Sequence, residues 1–176
     1  LGGGEDEDRG EPMETALLRA ARAFGLERPE LLDSLPEERE ESFDSDVQMM
    51  ATFHREGDGL LVAVKGAPEA VLQAATREQR DGEEAELDEE RRKAWRRRNE
   101  ELAADGLRVL ALAYRNMDSE GDHSEQNIEQ DMVFLGLAGM MDPPRPEAVE
   151  AIEVCKRIQI RPVMITGDHK VTAVAV

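Results

Sequence analysis

Lys65-Gly66-Ala67-Pro68-Glu69 constrains this chain more than any other stretch. The apolar run Leu60-Leu61-Val62-Ala63-Val64 before it reads as a strand. The pattern through Ala70, Val71, Leu72, Ala74 and Ala75 after it reads as a helix. Gly66 accepts backbone angles that a side chain would forbid. Pro68 suits a first helical turn, where its missing N–H is not needed. A strand, a glycine turn and a proline-opened helix leave the Lys65 ammonium at the rim of a sheet, beside free backbone N–H groups. Such a rim suits an anionic or nucleotide ligand. The same residues also make an ordinary strand–helix junction, and at this point both roles are open.

The 176 residues suffice for one full domain, or for one domain and a piece of another. With 40 acidic residues against 22 basic ones, the net charge of −18 argues against general affinity for nucleic acid or anionic lipid. The acidity is uneven. From Met132 onward Asp142, Glu147, Glu150, Glu153 and Asp168 are balanced by Arg145, Lys156, Arg157, Arg161 and Lys170. This shift predicts a boundary near 131, dividing the chain into residues 1–131 and 132–176. The single cysteine, Cys155, excludes an internal disulfide and fits a reducing compartment. It and the three histidines have no metal-ligand spacing, so no metal site is expected. No apolar run approaches the roughly 18 residues that span a bilayer, and no signal peptide opens the chain. A soluble chain is expected.

Residues 1–11 read as a frayed end. A helix is predicted from Met13 to Phe24, with Leu17, Ala21 and Phe24 on one face, and Gly25 stops it. Residues 27–42 read as short helix and loop. Val47, Met49, Ala51 and Phe53 alternate as in a strand, and Glu56-Gly57-Asp58-Gly59 turns that strand into the Leu60–Val64 run as an antiparallel hairpin. Leu87–Ala104 reads as a charged helix. Its basic cluster, Arg91 to Arg98, has acidic neighbours three or four residues away, so it reads as a solvated face. Leu107–Arg115 is a predicted strand and 116–130 an exposed loop. Beyond it come an apolar strand, Val133–Met141, the connector Asp142-Pro143-Pro144-Arg145-Pro146, and a helix, Glu147–Ile158, with Ala148, Ile152, Cys155 and Ile158 as its buried stripe. A second short strand over Pro162–Ile165 ends in Thr166-Gly167-Asp168-His169-Lys170. Strand–helix–strand of this kind predicts a parallel α/β unit with polar loops at the carboxyl ends of its strands. A hydroxyl and a carboxylate there, Thr166 and Asp168, are ordinary parts of a phosphate site.

Taken together, these stretches resemble the cytoplasmic part of P-type cation-transporting ATPases. KGAPE at 65–69, GEPMETALL at 10–18, SFDSDVQMM at 42–50 and GLRVLALAYR at 106–115 are similar to segments of that family's nucleotide-binding domain. MDPPRPEAVEAI at 141–152 and MITGDHKVTAVAV at 164–176 look like its hinge connector and a core motif of its phosphorylation domain. The resemblance covers essentially the whole chain in the family's order, and its wording leans toward calcium pumps. It implies an α+β fold: an antiparallel sheet flanked by helices over 1–131, plus a partial Rossmann-like, haloacid-dehalogenase-type α/β segment over 132–176.

The resemblance also implies roles. Glu14 would meet the adenine amino group, Phe43 would stack on the base, and Lys65 with Gly66 would complete the adenosine site. Arg108 would reach the phosphates. Thr166 would contact the transferring phosphoryl group, and Gly167 and Asp168 the nucleotide, when the domains close. ATP and Mg²⁺ are the implied cofactors, with the magnesium ligands mostly outside this chain. The implied partner is the remainder of a membrane pump, its transmembrane, actuator and phosphorylation domains. No nucleic-acid partner is expected, and this part is expected to be cytoplasmic and monomeric. Each residue also has a plainer reading from the sequence alone. Phe43 equally suits a core anchor, Glu14 a residue complementing a helix dipole, and Arg108 a solvent-exposed arginine. Trp95, Cys155 and His169 read as structural.

Two departures from the family pattern matter. Val47-Gln48 stands where members carry a basic residue, which implies a modest affinity for ATP. No Asp-Lys-Thr-Gly supplies the phosphorylated aspartate, and the family's later lysine and Gly-Asp-Gly segment do not follow Thr166, the Gly57-Asp58-Gly59 of this chain being the hairpin turn. The chain is therefore expected to be a fragment that binds ATP without turning it over. The alternatives are a haloacid-dehalogenase-like phosphatase with a large cap, and an acidic interaction domain without a ligand.

Overall fold

The alternation at 49–53 sets the centre of the architecture. In the computed structural model, which describes residues 12–118, 130–141, 146–163 and 165, strand β2 spans Met49–Glu56. Met49, Ala51 and Phe53 are buried, while Met50, Thr52 and His54 turn to the other face of the sheet. Gly57 and Asp58 connect β2 to β3 (Gly59–Gly66), the two pairing antiparallel as the turn residues predict. Gly57 sits at φ 60°, where a glycine turns the chain without steric cost.

Among the described residues, five helices and seven strands follow the order α1 (Pro12–Ala23), α2 (Arg28–Ser34), β1 (Glu37–Asp44), β2, β3, α3 (Pro68–Ala74), β4 (Ala75–Arg80), β5 (Glu83–Glu86), α4 (Glu89–Ala104), β6 (Arg108–Asp118), β7 (Met132–Met140) and α5 (Pro146–Arg157). The strands form one sheet ordered β1-β2-β3-β6-β7-β4-β5. All neighbours are antiparallel except β4 and β7, which are parallel. The mixed α+β class read from the sequence is the class observed.

Helices α3 and α4 cover one face of the sheet and make the core with it. Val71 and Leu72 of α3 pack with Phe53, Val62, Val64, Ala111 and Phe134. Trp95 of α4 meets the Phe134 ring edge-on at 5.0 Å. One carboxylate lies in this core. Glu78 of β4 is 1% exposed, and it accepts from Arg91 Nε at 2.7 Å, Arg91 Nη2 at 3.0 Å and Trp95 Nε1 at 2.8 Å. Arg92 donates to the carbonyls of Leu72 and Ala75, satisfying acceptors that the end of α3 leaves without helical partners. The basic cluster predicted as a solvated face is therefore divided. Arg91 and Arg92 hold the core together, while Arg97 and Arg98 stay exposed and pair with Glu101.

Other expectations need correction. Residues 37–42, within the stretch read as short helix and loop, belong to β1, and β4 and β5 form a hairpin that no apolar alternation announces. Phe24 lies past the end of α1 and is exposed. The strand expected to open a second unit after 131 is β7, and it lies inside the sheet between β6 and β4. Met132, Val133 and Phe134 are buried there. The charge balance changes at 131, but the core continues. Helix α5 forms, yet Ile152 and Ile158 of its predicted stripe are exposed. Residues 161–163 and 165 have no regular structure where a strand was expected. A lone strand cannot pair its own N–H and C=O groups. The Rossmann-like segment is thus not formed by the described residues. The predicted loop over 116–130, apart from 116–118 and 130, and the connector residues 142–145 lie outside the described residues. No helix among the described residues is long and apolar enough to cross a membrane.

Candidate functional site

Lys65 is the penultimate residue of β3, and the sheet register decides what surrounds it. Met50 stands opposite it on β2, and Leu112 on β6. Strand alternation turns Lys65 away from buried Val64, onto the face that α3 and α4 do not cover. Helix α1 reaches over this part of the face, and Lys65 Nζ donates to Glu14 Oε1 at 2.9 Å. The ammonium, by its hydrogen bond first and its charge second, holds the Glu14 carboxyl below the usual glutamate range.

Helices α1 and α2 and the strands beneath them enclose a groove of about 500 Å³. Leu17 and Leu31 contribute apolar walls, Met50, Thr52 and His54 line the sheet side, and the Glu14–Lys65 pair belongs to its lining. His54 is fixed on both sides. The Leu35 carbonyl can only accept, so Nδ1 donates to it at 3.1 Å, and in the neutral ring Nε2 is left to accept from the Thr52 hydroxyl at 2.8 Å. The groove thus combines apolar walls with three cations, Arg22, Arg28 and Lys65, and three carboxylates, Glu14, Glu37 and Glu40, and convergent polar groups in an apolar cavity suit a small-molecule site.

Gly66 is needed for a different reason from the one its sequence context suggests. Its φ is outside the left-handed region. A Cβ there would lie 2.5 Å from the Gln48 carbonyl oxygen and 2.9 Å from Met49 Cα. Glycine is required because the turn between β1 and β2 runs directly against this position. The Ala67 N–H, expected to be open at the rim, donates to the Gln48 carbonyl at 2.9 Å.

Phe43 lies on β1 and is 62% exposed, so it is not the core anchor that its residue type also allows. The β1 register slips by one residue between Glu41, opposite Ala51, and Asp44, opposite Met49. Asp44 takes the Met49 side of the sheet, and Phe43, one residue earlier, takes the side of Met50 and Lys65. Arg108 is the exposed first residue of β6, opposite Met140. It shares a face with Leu112 four residues on, about 14 Å along the strand at ~3.4 Å per residue. The fold therefore joins Glu14 to Lys65 directly, sets Phe43 on the same face, and puts Arg108 farther along it. Thr166, Gly167 and Asp168 lie outside the described residues. Among the described residues no three His, Cys, Asp or Glu side chains converge as a metal site.

Met50 was missed from sequence. Its signal was available: a two-residue turn at Gly57-Asp58 places Glu56 opposite Gly59, and counting back along both strands puts Met50 opposite Lys65.

Comparison with known proteins is consistent along nearly the whole chain. Residues 2–147 match the family described as P-type ATPase, cytoplasmic domain N. A calcium-transporting ATPase of Listeria monocytogenes is 36% identical over 172 residues, covering 98% of this chain and 20% of that protein. A cation-transporting ATPase of Synechocystis is 40% identical over 171 residues, covering 95% and 18%. A calcium-transporting ATPase of Bacillus subtilis is 38% identical over 168 residues, covering 95% and 19%. The chain spans about a fifth of the length of these relatives.

Proposed function

The chain belongs to the P-type ATPase family through its cytoplasmic domain N, and on that premise we propose that the groove beside Lys65 binds ATP for a cation pump, with calcium as the ion. The observation that carries this reading is the Glu14–Lys65 pair in the lining of a groove of about 500 Å³, on the same sheet face as an exposed aromatic ring. Glu14 accepts from the adenine amino group. Phe43 stacks on the base, contributing on the order of 1 kcal/mol, and Lys65 supplies charge at the adenosine. Arg108, farther along the same face, is suited to the phosphates.

In the complete pump, Thr166, Gly167 and Asp168 would meet the nucleotide as the domains close across the connector at 142–145. The phosphoryl group then passes to an aspartate outside this chain. Such catalysis consists of positioning and charge stabilisation, with Mg²⁺ neutralising phosphate charge. Accordingly, this chain alone binds ATP but does not turn it over, and it acts as a cytoplasmic monomeric part of a membrane protein. Neither the phosphatase with a large cap nor the ligand-free interaction domain finds support in the comparisons.

Titrating the chain with ATP to millimolar concentration, while following backbone amide shifts, tests the proposal. Glu14, Phe43 and Lys65 amides should move together, and Lys65→Ala should weaken binding by roughly 1–3 kcal/mol. Static amides would sink the nucleotide reading. Unchanged affinity in the variant would remove Lys65 from the site.

A further inference from the structure

Building on that nucleotide reading, we propose that Asp44 and Gln48, at the two ends of the β1–β2 turn, are positioning residues that bring Phe43 and Lys65 to one site. The turn is tied at both ends. The Asp44 carboxylate accepts from the N–H of Asp46 at 2.7 Å and of Val47 at 3.4 Å, and the Asp44 carbonyl accepts from the N–H of Gln48 at 2.7 Å. An aspartate that hydrogen-bonds the backbone two residues on shapes a turn by itself. Gln48 then leaves the turn at φ 58°, an unusual angle for a residue with a side chain. That angle accompanies a carbonyl directed at the neighbouring segment. It accepts from the Ala67 N–H at 2.9 Å, and its oxygen lies 2.5 Å from where a Cβ on Gly66 would be.

These contacts link two segments with separate tasks. Upstream of the turn, the one-residue slip between Glu41 and Asp44 decides which face Phe43 takes. Downstream, Met49 opposes Gly66 and Met50 opposes Lys65. If the turn relaxes, the slip has no fixed end, and a one-residue change in register carries an aromatic from one face to the other. Gln48 therefore acts through its backbone carbonyl rather than through its side chain.

Two pairs of variants separate this role from charge and from general stability. Asp44→Ala and Asp44→Asn remove the same charge, but asparagine keeps an oxygen to accept the turn hydrogen bonds. Gln48→Gly keeps access to the left-handed angle, whereas Gln48→Val opposes it. With the full chain and ATP as the probe, Asp44→Ala and Gln48→Val should each weaken binding by roughly tenfold. Asp44→Asn and Gln48→Gly should stay within about twofold of the parent. Hydrogen exchange at the Ala67 amide, read without ligand, should accelerate in the two weakened variants alone, at a similar thermal midpoint. Equal ATP affinity in all four overturns the proposal. So does Gln48→Gly weakening as much as Gln48→Val, since the side chain would then be the contact. If Gln48→Val does not fold, the contrast between Asp44→Ala and Asp44→Asn decides. A parent chain that shows no ATP-dependent shifts, with a slowly exchanging Ala67 amide, defeats the nucleotide reading itself and leaves the turn a structural staple.

Discussion

Glu14 and Lys65 meet across 51 positions of sequence, and their pairing has a testable pH dependence. The Glu14 carboxyl is held below the value it has in the unfolded chain. The pair's contribution is thus full above the unfolded value, near 4.3, and is lost as pH falls through the depressed folded value. The Glu14 side chain is about half exposed, so the contribution is small, within about 1 kcal/mol. Following the Glu14 carboxyl carbon shift from neutral pH to acid should show a midpoint below the ordinary range, returning toward it in Lys65→Met. A midpoint that ignores this substitution would show that the lysine is not its cause. On the proposed nucleotide reading, the adenine amino group competes with Lys65 for Glu14, and the ion pair rearranges on binding.

At the scale of elements, α4 is fixed to the sheet by Glu78 more than by a broad apolar stripe. None of its residues is fully buried. Its attachment consists of Arg91 and Trp95 on the Glu78 carboxylate, Arg92 on the carbonyls of Leu72 and Ala75, and the Trp95–Phe134 ring contact. Arg91, first through its hydrogen bonds, keeps the Glu78 carboxyl below its ordinary value despite burial. Glu78→Ala would leave Arg91 and Trp95 Nε1 without their acceptor, at a cost of about 1–3 kcal/mol because Arg91 still reaches solvent. Urea unfolding followed by Trp95 emission measures it. A loss below a few tenths of a kcal/mol would mean that apolar contacts alone hold the helix. Strand β1 depends on similar chemistry, with the Arg39 guanidinium 3.9 Å from the centre of the Phe53 ring.

For the whole molecule, β7 is the strand on which the sheet depends. It joins β1-β2-β3-β6 to β4-β5, and its first three residues are buried. A chain ending at residue 131 should therefore fail to fold, while one ending at residue 141 should keep the sheet. Near-ultraviolet circular dichroism of the two truncations distinguishes them, and a folded 1–131 chain would contradict the topology. The sheet also explains part of the charge of −18. Its two edge strands are β1, with Glu37, Glu38, Glu40 and Glu41, and β5, with Glu83, Glu84 and Glu86. Acidic side chains at exposed edges oppose pairing with another sheet.

Much of the fold could be read directly because local patterns carried it. Alternation at Met49, Ala51 and Phe53, the Gly57-Asp58 turn and the charged helix before Gly106 needed no tertiary information. The order of the family-like segments around Lys65 likewise pointed to the P-type ATPase family without tertiary information. Three things depended on contacts distant in sequence. Strands β1 and β5 are too polar to announce themselves, because edge strands need little apolar content once a neighbour supplies hydrogen bonds. The charge shift at 131 has no counterpart in the sheet, because net charge describes the surface, whereas β7 belongs to the core. Gly66 was correctly singled out for the wrong reason: its sequence neighbours suggest a dihedral requirement, and only the approach of Gln48, 18 positions earlier in the sequence, shows that the constraint is space.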